Sequence, residues 1–286
     1  MRAQLPHTSA MTPKKLIALA AFSLLPMAAS FAMAPPAHAD DLADVVDMRI
    51  LPGWRTDRGT QIAGVQITLA PGWKTYWRSP GEAGIPPQIA LTSSQNITNA
   101  QFQWPVPQAF ETAGMRTIGY VGSVTLPIEI SLSDPDAPAH IAGDIEIGVC
   151  KDICIPVRLD FDAALPKDGP RDPLIAAALV DRPQTATEAG AGPVRCDIRP
   201  GRRGFSISAA IPLRARHGGP EVTVIESGIP GAHVSEAQTS RQGDVIYTQA
   251  EIFMPRDRQG SIDRSRLRFT VLSPDGAVDL HGCVGG

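Results

Sequence analysis

Four cysteines occur in this chain of 286 residues, and two of them, Cys150 and Cys154, are separated by only three residues in the stretch GVCKDICIPV. Paired thiols at this spacing admit three chemistries: a disulfide that staples a fold, a dithiol that exchanges with other disulfides, or part of a metal site. A metal site is the poorest fit. Two thiolates have no obvious second pair of ligands, and the histidines at 140, 217, 233 and 281 do not cluster except in His281-Gly-Cys283, so neither a metal nor an organic cofactor is expected.

The local elements decide whether the two sulfurs can meet. Residues 145–149 (IEIGV) and 155–161 (IPVRLDF) read as strands that flank a three-residue connection, Lys151-Asp152-Ile153. Along one extended strand the cysteines would stand about 13 Å apart at ~3.3 Å per residue, beyond the ~7 Å limit for a disulfide. Across a tight hairpin they face each other at about 4.5–5.5 Å, within that limit. One helical turn would also bring them together, but the neighbouring Ile, Val and Pro disfavour it. A bridge closing so short a loop stabilises little, and an exposed bridge is easily reduced, which tilts the pair toward exchange. Lys151 favours a thiolate and Asp152 opposes it, so local charge does not choose the attacking sulfur. From spacing alone, the inert staple and the redox pair stand level.

The compartment is read from the N-terminus. Lys14 and Lys15 precede an apolar run from Leu16 to about Met33, followed by Ala37-His38-Ala39. A basic segment, an apolar segment and an A-x-A site describe a secretory signal peptide over residues 1–39, with cleavage expected after Ala39. An uncleaved anchor is the runner-up, disfavoured by Pro26, Pro35 and Pro36. Downstream no apolar run reaches the roughly 18 residues needed to span a bilayer. Either way the folded part lies outside the cytoplasm, where disulfides persist.

The whole chain has a formal net charge of −3, and losing Arg2, Lys14 and Lys15 with the leader makes it more acidic. That balance argues against nucleic acid, whose phosphates must be neutralised by Lys and Arg. With 27 prolines and 26 glycines, the composition favours short strands and turns, and the length fits two domains. Ile62, Val65, Ile67 and Leu69 include a period-two apolar set, as do Val124, Leu126, Ile128, Ile130 and Leu132, and such sets mark half-buried strands. The expected architecture is all-β: one β-sandwich over residues 40–167, a short helix and linker over 168–193, and a second β-sandwich over 194–286. Asp172 as cap, Pro173 in the first helical position and Pro183 beyond the end place the helix; residues 184–193 read as the linker. Cys196 and Cys283 bracket the second domain, so a structural disulfide between them is favoured over free thiols and over a mobile, exchanging Cys283. Closing so long a loop contributes roughly 4–5 kcal/mol on the chain-entropy model.

Four motifs, PGWKTYWRSPGEAGIPP (71–87), FQWPVPQAF (102–110), GYVGSVTLPI (119–128) and VCKDICIPV (149–157), resemble in order the N-terminal periplasmic domain of the DsbD/ScsB thiol:disulfide interchange proteins over about residues 45–165. The resemblance implies an immunoglobulin-like sandwich whose cysteine pair takes electrons from a membrane-embedded reductant and passes them to periplasmic thiol-disulfide proteins. Cys150 and Cys154 occupy the redox positions, which breaks the tie, and family position gives Cys150 the attacking role. Family members continue into a membrane domain and a thioredoxin-like domain with C-x-x-C. This sequence has neither, so a free-standing domain served by a separate donor is expected. An aromatic cap over the cysteines falls near Phe110 in the family, and Tyr120 either borders the site or is a buried corner residue.

The remaining conspicuous residues have ordinary readings. Trp73, Tyr76 and Trp77 resemble a core plug beside a Pro-Gly turn, Arg78 and Glu82 are placed to pair across one loop, and no G-x-S-x-G elbow supports a hydrolase. The rival function is a non-enzymatic periplasmic adaptor, serving metal stress or cytochrome c maturation, with both disulfides structural.

Overall fold

Alternating Val, Ile and Leu between Gly and Pro breaks build twenty strands in two sandwiches, seen in a computed structural model that describes residues 44–112, 114–215, 219–256 and 260–286. The segment expected to be a signal peptide, with its expected cleavage position, and Ala113 and His217 lie outside these residues. The first sandwich contains β1 (Val46–Arg55), β2 (Gln61–Leu69), β3 (Lys74–Tyr76), β4 (Gln88–Leu91), β5 (Ile97–Phe102), β6 (Gln108–Thr112), β7 (Met115–Val121), β8 (Ser123–Leu132), β9 (Ala139–Cys150) and β10 (Cys154–Leu165). One sheet has the order β1-β2-β8-β5. The other runs β10-β9-β3-β7-β6, with β4 also paired to β9. Inward side chains from both sheets, among them Val65, Ile67, Leu126, Ile128, Ile141, Ile147 and Trp77, form one core. Ile62 stands three residues before Val65, out of phase with the inward set of β2. It faces the other way, packing with Leu51, Trp54 and Ile175.

Ile175 belongs to helix α1 (Pro173–Val180). The Asp172 carboxylate caps it by accepting from the backbone N–H groups of Leu174 and Ile175 at 2.8 and 3.2 Å, and Pro173 stands in its first turn. The helix therefore covers the outer face of the first sandwich. The stretch expected as a linker is structured instead. β11 (Gln184–Thr185) and a single helical turn, α2 (Ala186–Ala189), follow at once, and β11 already pairs in parallel with a strand of the second sandwich.

That second sandwich is built from β12 (Arg195–Gly201), β13 (Gly204–Pro212), β14 (Val222–Glu226), β15 (His233–Val234), β16 (Gln238–Gln242), β17 (Val245–Phe253), β18 (Arg268–Ser273), β19 (Gly276–His281) and β20 (Val284–Gly285). Its sheets have the orders β11-β19-β18-β14 and β15-β17-β13-β12-β20, with β16 also paired to β17. Its own core gathers Ile207, Ile211, Ile246, Leu267 and Phe269. Val224, Leu272 and Ala277 instead join the core of the first sandwich, so the two halves share apolar contact. The last strand, β20, lies parallel to β12, beside the Cys196–Cys283 disulfide, whose Cα atoms are 5.8 Å apart. Among the described residues no helix is long and apolar enough to cross a membrane.

Candidate functional site

β9 and β10 form a twelve-pair antiparallel hairpin in unbroken register from Leu165 opposite Ala139 to Cys154 opposite Cys150. Its connection is Lys151-Asp152-Ile153, closed by the Lys151 N–H donating to the Ile153 carbonyl at 3.1 Å. Cys150 and Cys154 are thus the last facing pair of the ladder, disulfide-bonded with Cα atoms 4.1 Å apart. The hairpin expected from the sequence is the one that forms, and its strands are longer than the apolar runs suggested, because Gly143 and alternate polar residues sit within them.

Burial separates the two sulfurs' surroundings. Cys150 is 1% exposed, whereas Cys154 and the connecting residues are exposed, Ile153 to 68%. An incoming thiolate needs a line of approach to the sulfur it attacks, and only the Cys154 side of the bridge opens to solvent. That differs from the attacking role that family position lends Cys150, and the reason is steric: Cys150 has a neighbouring strand on both sides, β10 and β3, while Cys154 begins an edge strand.

β3 is only three residues long, but it places the group nearest the sulfurs. Lys74 pairs with Cys150 on one side and with Val121 of β7 on the other, so Lys74, Tyr76 and Cys150 share the outer face of the sheet. The Tyr76 hydroxyl lies 3.0 Å from Cys150 Sγ and 3.2 Å from Cys154 Sγ. Neither sulfur of a disulfide carries a proton, so the hydroxyl donates. Burial pushes its pKa up from the usual tyrosine value, which keeps the proton in place. The same oxygen is 3.5 Å from the Ala83 carbonyl, on the loop of residues 79–87 that returns across this face.

The other expected site residues fall at graded distances. Lys151 lays its side chain along the Pro71-Gly72 turn: a Cβ on Gly72, whose φ of +83° suits glycine, would stand 3.3 Å from Lys151 Cε. Asp152 is exposed at the tip of the connection. Phe110 shares the outer face but sits on β6, with β7 between it and β3. Lys74 Nζ lies 5.3 Å from its ring centroid and donates to Thr117 Oγ1 at 3.3 Å. Tyr120 pairs with Thr75, which puts it on the inner face, buried in the core with its hydroxyl donating to the Pro105 carbonyl at 2.9 Å. Burial drives its pKa well up, while Arg78 lowers and Asp181 raises it. Tyr120 is therefore a core tyrosine rather than a border of the sulfurs. Tyr76 is the residue that sequence reasoning passed over. Its only signal was membership of an aromatic cluster, and the strand pairing that aims it was not visible.

The ion pair expected between Arg78 and Glu82 does not form, because both residues reach the second sandwich. Arg78 forks onto Glu226 at 3.1 and 2.9 Å, and Glu82 Oε1 accepts the Glu236 N–H at 3.3 Å. Among the described residues no group of three or more His, Cys, Asp or Glu side chains is placed to hold a metal ion.

Comparison with known proteins follows the same outline. The family described as thiol:disulfide interchange protein DsbD, N-terminal, matches residues 28–166. The crystal structure of the N-terminal periplasmic domain of ScsB from Proteus mirabilis superposes with a TM-score of 0.66 at 24% identity, covering 87% of this chain and 96% of that one. That coverage extends past residue 166, so the shared architecture includes residues of the second sandwich. No curated protein sequence matches the chain. The sandwich that carries the Cys150–Cys154 hairpin is therefore a member of the DsbD N-terminal domain family, an immunoglobulin-like β-sandwich of thiol-disulfide interchange proteins.

Proposed function

We propose that the chain is a periplasmic electron carrier that works by thiol-disulfide exchange at Cys150 and Cys154, with Cys154 as the sulfur that meets partners. One observation carries this reading: a disulfide at the neck of a hairpin with one cysteine buried and the other exposed. In the reduced protein the Cys154 thiolate attacks a partner's disulfide, forming a Cys154–partner bond and expelling one partner thiolate. Cys150 then loses its proton and attacks Cys154 Sγ, closing the Cys150–Cys154 bridge and releasing the second partner thiol. Two electrons pass to the partner, and a membrane-embedded thiol reductant returns them by the same steps in reverse. The reaction requires no other cofactor.

On this reading residues 1–39 are a cleaved export signal, the first sandwich and α1 make up the redox domain, and the Cys196–Cys283 bridge is structural. Lys151 and Asp152 border the partner-facing tip, and Phe110 lies at its periphery. The test is trapping in cells. Cys150→Ser leaves the exposed thiol without its resolving partner and accumulates mixed disulfides through Cys154, whereas Cys154→Ser accumulates few. A chain whose four cysteines stay oxidised under every condition, with no trapped partner, is instead an adaptor with two structural bridges.

A further inference from the structure

The loop of residues 79–87 is held from two sides. Toward the disulfide, its Ala83 carbonyl faces the Tyr76 hydroxyl and its Ile85 packs at Gly148, where a Cβ would lie 2.8 Å from Ile85 Cβ. Toward the second sandwich it lines a cleft of ≈ 550 Å³ whose far wall is the segment 222–237. Besides the pair of Arg78 with Glu226 at the root of the loop, Glu82 Oε1 accepts the Glu236 N–H across that cleft and Arg116 Nη1 lies 2.6 Å from Glu236 Oε1.

The root of the loop is fixed as well. Arg78, only 13% exposed, lies over the Trp77 ring with Cζ 3.9 Å from its centroid and makes the two-pronged contact with Glu226. Trp77 is fully buried in the first core. A bidentate guanidinium-carboxylate pair fixes orientation as well as distance. Arg78 is two residues from Tyr76 along the chain, so the second sandwich grips both ends of the covalent path between Tyr76 and Ala83.

We infer that the second sandwich positions the Tyr76 hydroxyl on the redox sulfurs, with Glu226 across the cleft and Glu82 on the loop itself as the positioning residues that tune Cys154. The inference rests on the exchange reading and gives the second sandwich its part in it. The physical link is the steep dependence of a hydrogen bond on angle and distance. The hydroxyl has one proton, for which a charged Cys154 thiolate at 3.2 Å outcompetes the neutral Ala83 carbonyl at 3.5 Å; a hydroxyl held to donate well to that thiolate favours the charged form, and one that drifts does so less. Lys74 of β3 pairs with Cys150, Lys151 and Asp152 lie in the connection, and β9 and β10 carry His140, Asp144, Glu146, Arg158, Asp160 and Asp162 farther along the hairpin; the variants below leave all of them in place.

The experiment measures site-resolved alkylation of Cys154 by iodoacetamide against pH in the reduced full chain. Tyr76→Phe raises the midpoint by about one pH unit, the loss of a hydrogen bond to a charged group. Glu82→Ala, at an exposed position that cannot cost the fold, and Glu226→Gln each raise it by about half a unit or more. The inference is overturned if both leave the midpoint at its wild-type value, even where Glu226→Gln lowers the melting temperature, or if Tyr76→Phe moves nothing. If the midpoints move as stated while no partner is trapped at Cys154, positioning stands and the exchange reading falls.

Discussion

Gly148 and Tyr76 occupy one space: a Cβ at position 148 would lie 3.0 Å from Tyr76 Cδ2, so the tyrosine ring crosses β9 where that strand has no side chain. The same Cβ would meet Ile85 at 2.8 Å. Gly148→Ala therefore drives out either the ring or the covering loop. Overpacking of this kind costs about 1–3 kcal/mol, measurable by urea denaturation. If the ring is displaced, the reactivity of Cys154 follows that of Tyr76→Phe. Ile85→Gly on the Gly148→Ala background removes the Ile85 Cβ that the new methyl meets and recovers part of both losses.

Tyr76→Phe isolates the hydroxyl, since the ring remains. In the reduced protein the hydroxyl is placed to donate to a Cys154 thiolate, and hydrogen bonding to the charged form lowers a pKa. Its loss is expected to raise the Cys154 pKa by about one unit, the equivalent of ~1.4 kcal/mol. Ultraviolet absorbance of the thiolate, followed against pH, reads this directly. An unchanged titration would mean that the hydroxyl turns away once the bridge opens.

The two disulfides should separate by reduction potential. Cys150–Cys154 closes a loop of sequence separation 4, whereas Cys196–Cys283 closes one of 87. In a redox-buffer titration the short bridge is expected in the range of exchange proteins, about −120 to −270 mV, and the long one below about −300 mV. Replacing Cys196 and Cys283 together by serine costs stability, about 2–5 kcal/mol, and leaves the potential of the first pair unchanged. Equal, strongly negative potentials would support the adaptor function.

Local patterns in the sequence carried the hairpin, the α1 cap and most inward positions, because alternation, Gly-Pro punctuation and an Asp-Pro pair act over a few residues. The cysteine pair was legible for the same reason, since a three-residue connection between two strands leaves two facing ends. What escaped depends on pairing between distant segments. Tyr76 reaches Cys150 only because β3 lies beside β9, 74 residues away along the chain. Phe110 was expected over the sulfurs, but the strand order inserts β7 between it and β3. Tyr120 was open between two faces, and its pairing with Thr75 turns it inward. Arg78 had an acid four residues away yet binds one 148 residues away, because the nearer one points across the cleft to Glu236. The supposed linker failed for a similar reason: its polar, small residues gave no strand signal, but β19 offers an edge on which Gln184 and Thr185 pair.

The contacts behind Glu226 predict a pH dependence. Arg268 Nε is 4.0 Å from Glu226 Oε2 and donates to Asp279 at 2.8 and 3.0 Å. Arg78 Nη2 donates to Thr270 Oγ1, which in turn donates to Asp279 Oδ1. Burial alone would push the Asp279 carboxyl up, but the hydrogen bond and charge of Arg268, helped by Arg78 and His281, hold it below the ordinary carboxylate value. A carboxylate depressed in the folded state contributes stability that is complete above its unfolded pKa, about 3.9, and is lost as pH falls through that value toward the lower folded one. Urea denaturation from neutral to acid pH should therefore show a decline below about pH 4 that is shallower in Asp279→Asn. At neutral pH the variant should lose about 1–3 kcal/mol, less than for a fully buried pair because Arg268 is partly exposed. A variant whose stability tracks the wild type in parallel down to acid pH would mean that Asp279 has the same pKa folded and unfolded, and that Glu226 holds Arg78 without help from this pair.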